Sequence, residues 1–127
     1  MRVIVLVRAT KETEAGEMPS PEFRRKVADY NAQITRAGMM LGAEGLQPSS
    51  AGRRVVFEAA TRRVIDGPFT DSKELVGGVW IWQVRSLEEA VEWLKRAPFE
   101  NIEVEVRPVL DPEAFARPAA ETPRTGV

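Results

Sequence analysis

The chain has 127 residues, a formal net charge of −1 and neither cysteine nor histidine. A single domain of this size can bury a real core, and the charge balance gives no long-range attraction for nucleic acid or an anionic membrane surface. Disulfides, thiolate nucleophiles and cysteine–metal sites are excluded, and the lack of imidazole ligands argues against zinc, copper and haem sites. Any general acid or base must be a carboxylate, a lysine or Tyr30.

The first half of the chain is predicted to hold two strands and a helix. The β-branched run at 3–7 indicates a strand buried on both faces, and the polar segment 9–19 indicates a surface loop. A hydroxyl cap at Ser20 begins a helix with one apolar face, which Gly38 ends. The short, glycine-interrupted segment 39–48 is predicted to be a second strand.

The second half is predicted to hold a hairpin, two strands and a helix. Segments 54–58 and 62–65 have the pattern of a β-hairpin, and 79–84 is typical of a strand that alternates its side chains between two faces. Ser86 begins a helix through a capping box, and 102–109 alternates apolar and charged residues as a final strand does.

This order of elements predicts an α+β fold, the ferredoxin-like split βαβ arrangement with an inserted β-hairpin. Residues 1–115 would form one domain, and we expect the Pro- and Ala-rich tail 116–127 to be disordered. The apolar run near the N-terminus is too short for a signal peptide or a membrane span, so we expect a cytoplasmic protein that binds no membrane. No cofactor motif and no metal site is predicted.

Two helices would cover only one face of the sheet, which leaves the other face exposed. Ile4 and Leu6 would point to that open face, together with either Trp80 and Trp82 or Val79 and Ile81. Such an apolar face predicts a homodimer with the two sheets packed together. Arg8 and Gln83 would lie among these apolar groups, either as ligand-binding residues of a pocket between the sheets or only at its rim.

The stretch DGPFTDSKELVGG and its surroundings carry a resemblance to a known family. Residues 66–69, 73–74 and 77–78 stand where the DGPF-domain branch of the YCII-related proteins has its signature, and 42–48 and 104–109 also look like family segments. The resemblance implies a dimeric α+β barrel of ferredoxin-like protomers. It also implies an association with extracytoplasmic-function sigma factors, beside which members of this branch tend to occur.

The resemblance also bears on activity. Related YCII proteins are thought to hold a His–Asp pair in a pocket, and some are implicated in the breakdown of chlorinated aromatics. Because this sequence has no histidine, Asp66 is the one member of such a pair that can be carried over.

Two interpretations of the signature stretch stay open. In the first, Asp-Gly-Pro is turn chemistry and Phe69 anchors the loop in the core. In the second, the turn holds Asp66 and Asp71 as catalytic carboxylates, with Lys73 as a ligand-binding group beside them. A second candidate ligand-binding cluster is formed by Glu44 and Gln47, for which a solvated loop is the alternative.

Two functions from different classes follow. The chain is either a small dimeric module that binds a ligand or a protein partner, or a cofactor-independent enzyme acting on small organic acids or aromatics with an aspartate acid or base. The lack of histidine, cysteine and cofactor motifs favours the binding module.

Overall fold

The computed structural model describes residues 1–70 and 74–112. The predictions for Asp71, Lys73 and the tail 116–127 therefore lie outside the described residues. The described elements, in chain order, are β1 (Arg2–Arg8), α1 (Lys11–Glu14), α2 (Pro21–Arg36), β2 (Met40–Gly45), a 3-10 turn (Ser49–Ala51), β3 (Arg53–Phe57), β4 (Arg62–Asp66), β5 (Val76–Gln83), α3 (Leu87–Leu94) and β6 (Val104–Pro108).

Two sheets are formed by these strands. The larger has the order β2-β5-β1-β6 with every neighbouring pair antiparallel, and the smaller is the β3–β4 hairpin. The prediction of an α+β protein with an antiparallel sheet and a separate hairpin is therefore confirmed. β5 begins three residues before the predicted strand and so contains Gly77 and Gly78, because its first residues pair with the end of β1.

The register of β1 against β5 decides which side chains face the helices. Val5 lies opposite Trp80 and Val3 opposite Trp82, and all of these side chains are buried. They form the core with Tyr30, Ile34, Met39, Val84 and Ala90, so the tryptophans lie on the helix-covered face. The open face therefore carries Val79 and Ile81, which is one of the two possibilities that the sequence left open.

The long helix α2 begins and ends as its sequence predicts. The Ser20 hydroxyl accepts a hydrogen bond from the Phe23 N–H at 3.1 Å, and Pro21 occupies the first turn. At the other end Gly38 has a φ of +75°, and the N–H of Met39 donates to the Ile34 carbonyl at 3.1 Å. This is a Schellman end, in which glycine accepts the left-handed conformation without strain.

The segment after β1 differs from its prediction as a loop because it contains the single helical turn α1. The Thr10 hydroxyl accepts from the Thr13 N–H at 3.1 Å, and the Thr13 hydroxyl accepts from the Thr10 N–H at 2.8 Å. These reciprocal caps stabilise a turn whose sequence has no apolar periodicity, which explains why the pattern alone missed it. In the described part of the chain, no helix has the length and apolar character needed to cross a lipid bilayer.

Candidate functional site

A cleft of about 950 Å³ opens beside the first half of α2, on the helix-covered side of the large sheet. This volume is within the range of small-molecule sites. Its apolar lining includes Phe23 and Val27 from α2, Trp80 from β5, and Phe99 from the segment that follows α3. Trp80 is only 5% exposed, so its ring forms a floor fixed by the core behind it.

Glycines at the start of β5 shape one wall of the cleft. A Cβ atom at Gly77 would lie 3.1 Å from the Ala9 Cα, and one at Gly78 would lie 3.2 Å from the Glu44 carbonyl oxygen. Both contacts are tighter than side chains normally make, so glycine lets neighbouring backbone approach closely here. The same positions project no side chain into the adjoining cleft.

Asn31 contacts the floor of the cleft, and the orientation of its side-chain amide follows from its hydrogen bond with Trp80. The Trp80 indole N–H donates to the Asn31 side-chain oxygen at 2.9 Å. Because an indole nitrogen can only donate, Asn31 must present its oxygen to Trp80 and keeps its amide N–H groups for another acceptor. Asn31 lines the cleft, so those donors are available to a ligand.

Charged groups around the cleft are mostly acidic. Arg8 is the one cation among the described residues that line it. Its guanidinium donates to a Glu105 carboxylate oxygen at 3.2 Å and lies 3.9 Å from Glu103, so its charge is largely compensated. The carboxylates that line the cleft are Glu12, Glu17, Glu44 and Glu100.

The DGPF turn, residues 66–69, does not line the cleft and packs against the 3-10 turn instead. The Gly67 N–H donates to the Gly52 carbonyl at 3.0 Å, and the Phe69 N–H donates to the Ser49 hydroxyl at 3.0 Å. The Arg54 guanidinium lies 4.0 Å from the centre of the Phe69 ring. The turn is thus tied down by backbone and ring contacts, but Phe69 is only half-buried and lies outside the core in which the corner interpretation placed it.

Ser49 also connects this turn to the wall of the cleft. Its N–H donates to one Glu14 carboxylate oxygen at 2.9 Å, and its hydroxyl donates to the other. These two hydrogen bonds favour the charged carboxylate and hold the pKa of Glu14 below its usual value. Glu14 ends α1, whose residues Glu12 and Thr13 line the cleft, so Ser49 holds that wall in place.

Of the proposed residues that the structure describes, two line the cleft. Arg8 and Glu44 both line it. Asp66 lies at the end of β4, where its carboxylate accepts from the Arg53 Nε at 2.9 Å, and its side chain is 78% exposed. Asp66 therefore lies in solvent, outside the cleft.

The remaining described candidates are also apart from the cleft. The Gln83 side chain donates to the Met1 carbonyl at 3.1 Å and lines a separate hollow of about 310 Å³ beside the end of α2. Gln47 is exposed in the connection between β2 and the 3-10 turn. Arg8, Glu44, Gln47, Gln83 and Asp66 therefore do not form one cluster.

The sequence analysis missed the residues that form most of the cleft. Asn31 follows Phe23 and Val27 at helical spacings of four residues, so a polar side chain continues an apolar stripe of α2. A polar residue within this apolar stripe could have indicated a binding site from the sequence. Phe99 and Thr10 carried no such signal, because they reach the cleft from connections between elements.

Comparison with known proteins identifies a family. No curated protein is significantly similar to the chain. The family model for the YCII-related domain matches residues 1–113, which include the large sheet, its helices, the hairpin and every described residue of the cleft. The chain belongs to the YCII-related domain family.

Proposed function

We propose that the protein is a small ligand-binding module whose site is the cleft beside α2. The observation that carries this proposal is the combination of a cavity of about 950 Å³, an aromatic floor and the amide donors of Asn31. Pockets of this kind bury an apolar ligand body and orient it through a few polar groups. Ligand binding rather than chemistry fits a cleft whose described residues include no histidine or cysteine.

A screen of small aromatic compounds by thermal shift tests the proposal, because a ligand that binds only the folded state raises the melting temperature. Val27→Phe would fill part of the cleft, and Ala28→Phe, on the exposed side of α2, is its matched control. We expect compounds that stabilise the natural protein to lose their effect in Val27→Phe and keep it in Ala28→Phe. Compounds that stabilise both variants equally would contradict the cleft as the site.

We further infer that the module is ferredoxin-like and works as a homodimer through the open sheet face. The strand order β2-β5-β1-β6 supports the topology. On the open face Ile4 lies opposite Ile81 and Leu6 opposite Val79, which gives a contiguous apolar patch suited to a second copy. Packing of two such faces would form the dimeric α+β barrel.

Light scattering tests the dimer directly. We expect the mass of two chains at micromolar concentration for the natural protein and of one chain for Ile81→Lys. Phe57→Lys, which adds the same charge to the exposed hairpin, should leave the dimer intact. A single-chain mass for the natural protein would overturn the inference.

The signature at 66–69 supports membership in the DGPF branch, and this assignment is part of the proposal. Two other expectations stay predictions of the sequence. One is the association with a sigma factor. The other is the alternative of an enzyme that uses an aspartate, for which Asp66 would have to act from outside the cleft.

A further inference from the structure

We propose that the cleft takes an organic cation, that is, an aromatic or other apolar body that carries a protonated amine. This inference rests on the proposed function and adds the sign of the ligand's charge. It departs from the small organic acids that the sequence suggested. Three features of the cleft carry it: the aromatic floor, the acidic lining, and the pairing of Arg8 and most of the backbone donors that would otherwise bind an anion.

The aromatic floor suits both parts of such a molecule. The ring centres of Trp80 and Phe99 are 5.8 Å apart, and those of Phe99 and Phe23 are 6.1 Å apart, so the three rings form a continuous surface. Such a surface buries an apolar body, and the faces of aromatic rings also attract an alkylammonium group electrostatically. An anion gains nothing from those faces.

The charged lining of the cleft favours positive charge. Glu12, Glu17, Glu44 and Glu100 line it, and among the described residues the one cation beside them is Arg8. Carboxylates grouped around one concavity concentrate a negative potential that raises the local concentration of cations. In the described part of the chain no three acidic side chains converge closely enough to hold a metal ion, so the potential suits a larger, diffuse cation.

The charged group and most of the backbone groups that would bind an anion are already engaged, and the Asn31 amide offers only neutral donors. Arg8 donates to Glu105 at 3.2 Å and lies 3.9 Å from Glu103. The start of α2 borders the cleft, but most of its backbone donors are used. Pro21 has no N–H, the Phe23 N–H is bonded to the Ser20 hydroxyl, and the Arg24 N–H is bonded to the Ser20 carbonyl. A ligand carboxylate would therefore meet four glutamates, with an already paired Arg8 and the neutral Asn31 amide to compensate them.

Three matched probes test the sign of the charge: phenethylammonium, 2-phenylethanol and 3-phenylpropionate. Binding is followed by two-dimensional NMR through the indole N–H of Trp80, identified by its loss in Trp80→Phe. We expect phenethylammonium to bind at least about fivefold more tightly than 3-phenylpropionate at low ionic strength, and added salt to reduce that ratio. Equal affinities, or tighter binding of the carboxylate, would overturn the inference.

Two variants that each neutralise two carboxylates distinguish the effect of the cleft carboxylates on binding from the effect of the protein's total charge. The double variant Glu44→Gln/Glu100→Gln removes two carboxylates of the cleft, and Glu88→Gln/Glu92→Gln removes two from α3, which does not line it. We expect the first to reduce the preference for phenethylammonium severalfold and the second to leave it unchanged. An equal reduction in both would contradict a role for the cleft carboxylates.

Failure of this inference and failure of the proposed function give different results. If all three probes shift the Trp80 signal with equal affinity, the cleft binds aromatic molecules without regard to charge, and only the present inference fails. If none of them shifts it at millimolar concentration, both proposals fail. The probe series uses the natural protein, so it decides the question even if the double variant does not fold.

Discussion

The DGPF turn and the cleft are built from the sequence in opposite ways. The turn consists of four consecutive residues that contact the 3-10 turn mainly through backbone groups, and it lies outside the cleft. The cleft combines side chains from α2, β5, the segment after β1 and the segment after α3. A conspicuous sequence motif here marks a place where two stretches of backbone meet, whereas the concave surface suited to a ligand is assembled from dispersed residues.

This contrast separates two kinds of effect. Substitutions that disturb the backbone contacts of the turn should change the free energy of unfolding and leave the chemistry of the cleft intact. Substitutions of cleft side chains should change binding with little effect on folding. Ser49 is the residue through which the two regions touch, because it contacts both Phe69 of the turn and Glu14 of α1.

Gly67→Ala should have the largest effect on stability. A Cβ at this position would overlap the Ser49 carbonyl oxygen and lie 2.7 Å from the Ser49 carbonyl carbon. Both atoms belong to backbone, so they cannot move aside as a side chain does. We expect a loss of about 3 kcal/mol or more in the free energy of unfolding, at the upper end of overpacking effects, measured by urea denaturation.

Gly45→Ala is the matched control for this prediction. A Cβ at Gly45 would meet nothing within 4 Å, and its φ is not in the left-handed region. Alanine should therefore cost no stability there and can raise it slightly by restricting the unfolded chain. Equal losses in the two variants would mean that loss of glycine flexibility, rather than the contact with Ser49, governs position 67.

Ser49→Ala should have the next largest effect. It removes the hydroxyl that donates to Glu14 and leaves the Phe69 N–H without its acceptor at 3.0 Å. Loss of a partly buried hydrogen-bonded acceptor costs about 1–2 kcal/mol, to be measured by urea denaturation. Ser50→Ala, at the exposed neighbouring position, should be nearly silent, and a loss of similar size there would show that the 3-10 turn itself is sensitive.

The sequence predicted regular elements well and the site poorly, for identifiable reasons. The apolar face of α2, its Ser20 cap and its Gly38 end are local patterns, and the structure contains all three. The choice between the two faces of β5 could not be made, because both have large apolar side chains and only the packing of the helices decides it.

Asp66 shows that the sequence also does not reveal which residues meet across a hairpin. One interpretation of Asp-Gly-Pro was turn chemistry, but the described partner of the Asp66 carboxylate is Arg53, thirteen residues earlier and directly opposite across the hairpin. Arg53 was visible in the sequence, but the register that brings the two together was not. The same holds for the cleft, where Phe99 and Thr10 are placed by the paths of connecting segments.

Glu14→Gln should have a smaller effect that depends on pH. The bonds from Ser49 hold the pKa of Glu14 below its usual 4.5, so the carboxylate stabilises the fold when charged. This contribution is fully present above the unfolded value of 4.5 and is lost as the pH falls through the lower folded value. The stability difference between natural protein and variant should therefore shrink as the pH is lowered from about 5 to about 3.

Denaturation midpoints across that pH range measure this difference. Glu12→Gln is the control, since Glu12 lies on the same helical turn and its side chain takes part in none of the described hydrogen bonds with Ser49. Its difference from the natural protein should vary less with pH. A Glu14→Gln difference that stays constant or grows on acidification would contradict the direction of the pKa shift.

Asp66→Ala should have the smallest effect, although Asp66 opens the most conspicuous motif in the chain. Its only described bond is the ion pair with Arg53 at 2.9 Å, and the two side chains are 78% and 70% exposed. Solvent screens such pairs, so we expect a change within about 0.5 kcal/mol, and a double-mutant cycle with Arg53→Ala should give a coupling of the same size. The binding of aromatic probes should also be unchanged, because Asp66 does not line the cleft. A loss of binding without a loss of stability in Asp66→Ala would reverse the comparison, since it would place the functional group in the turn.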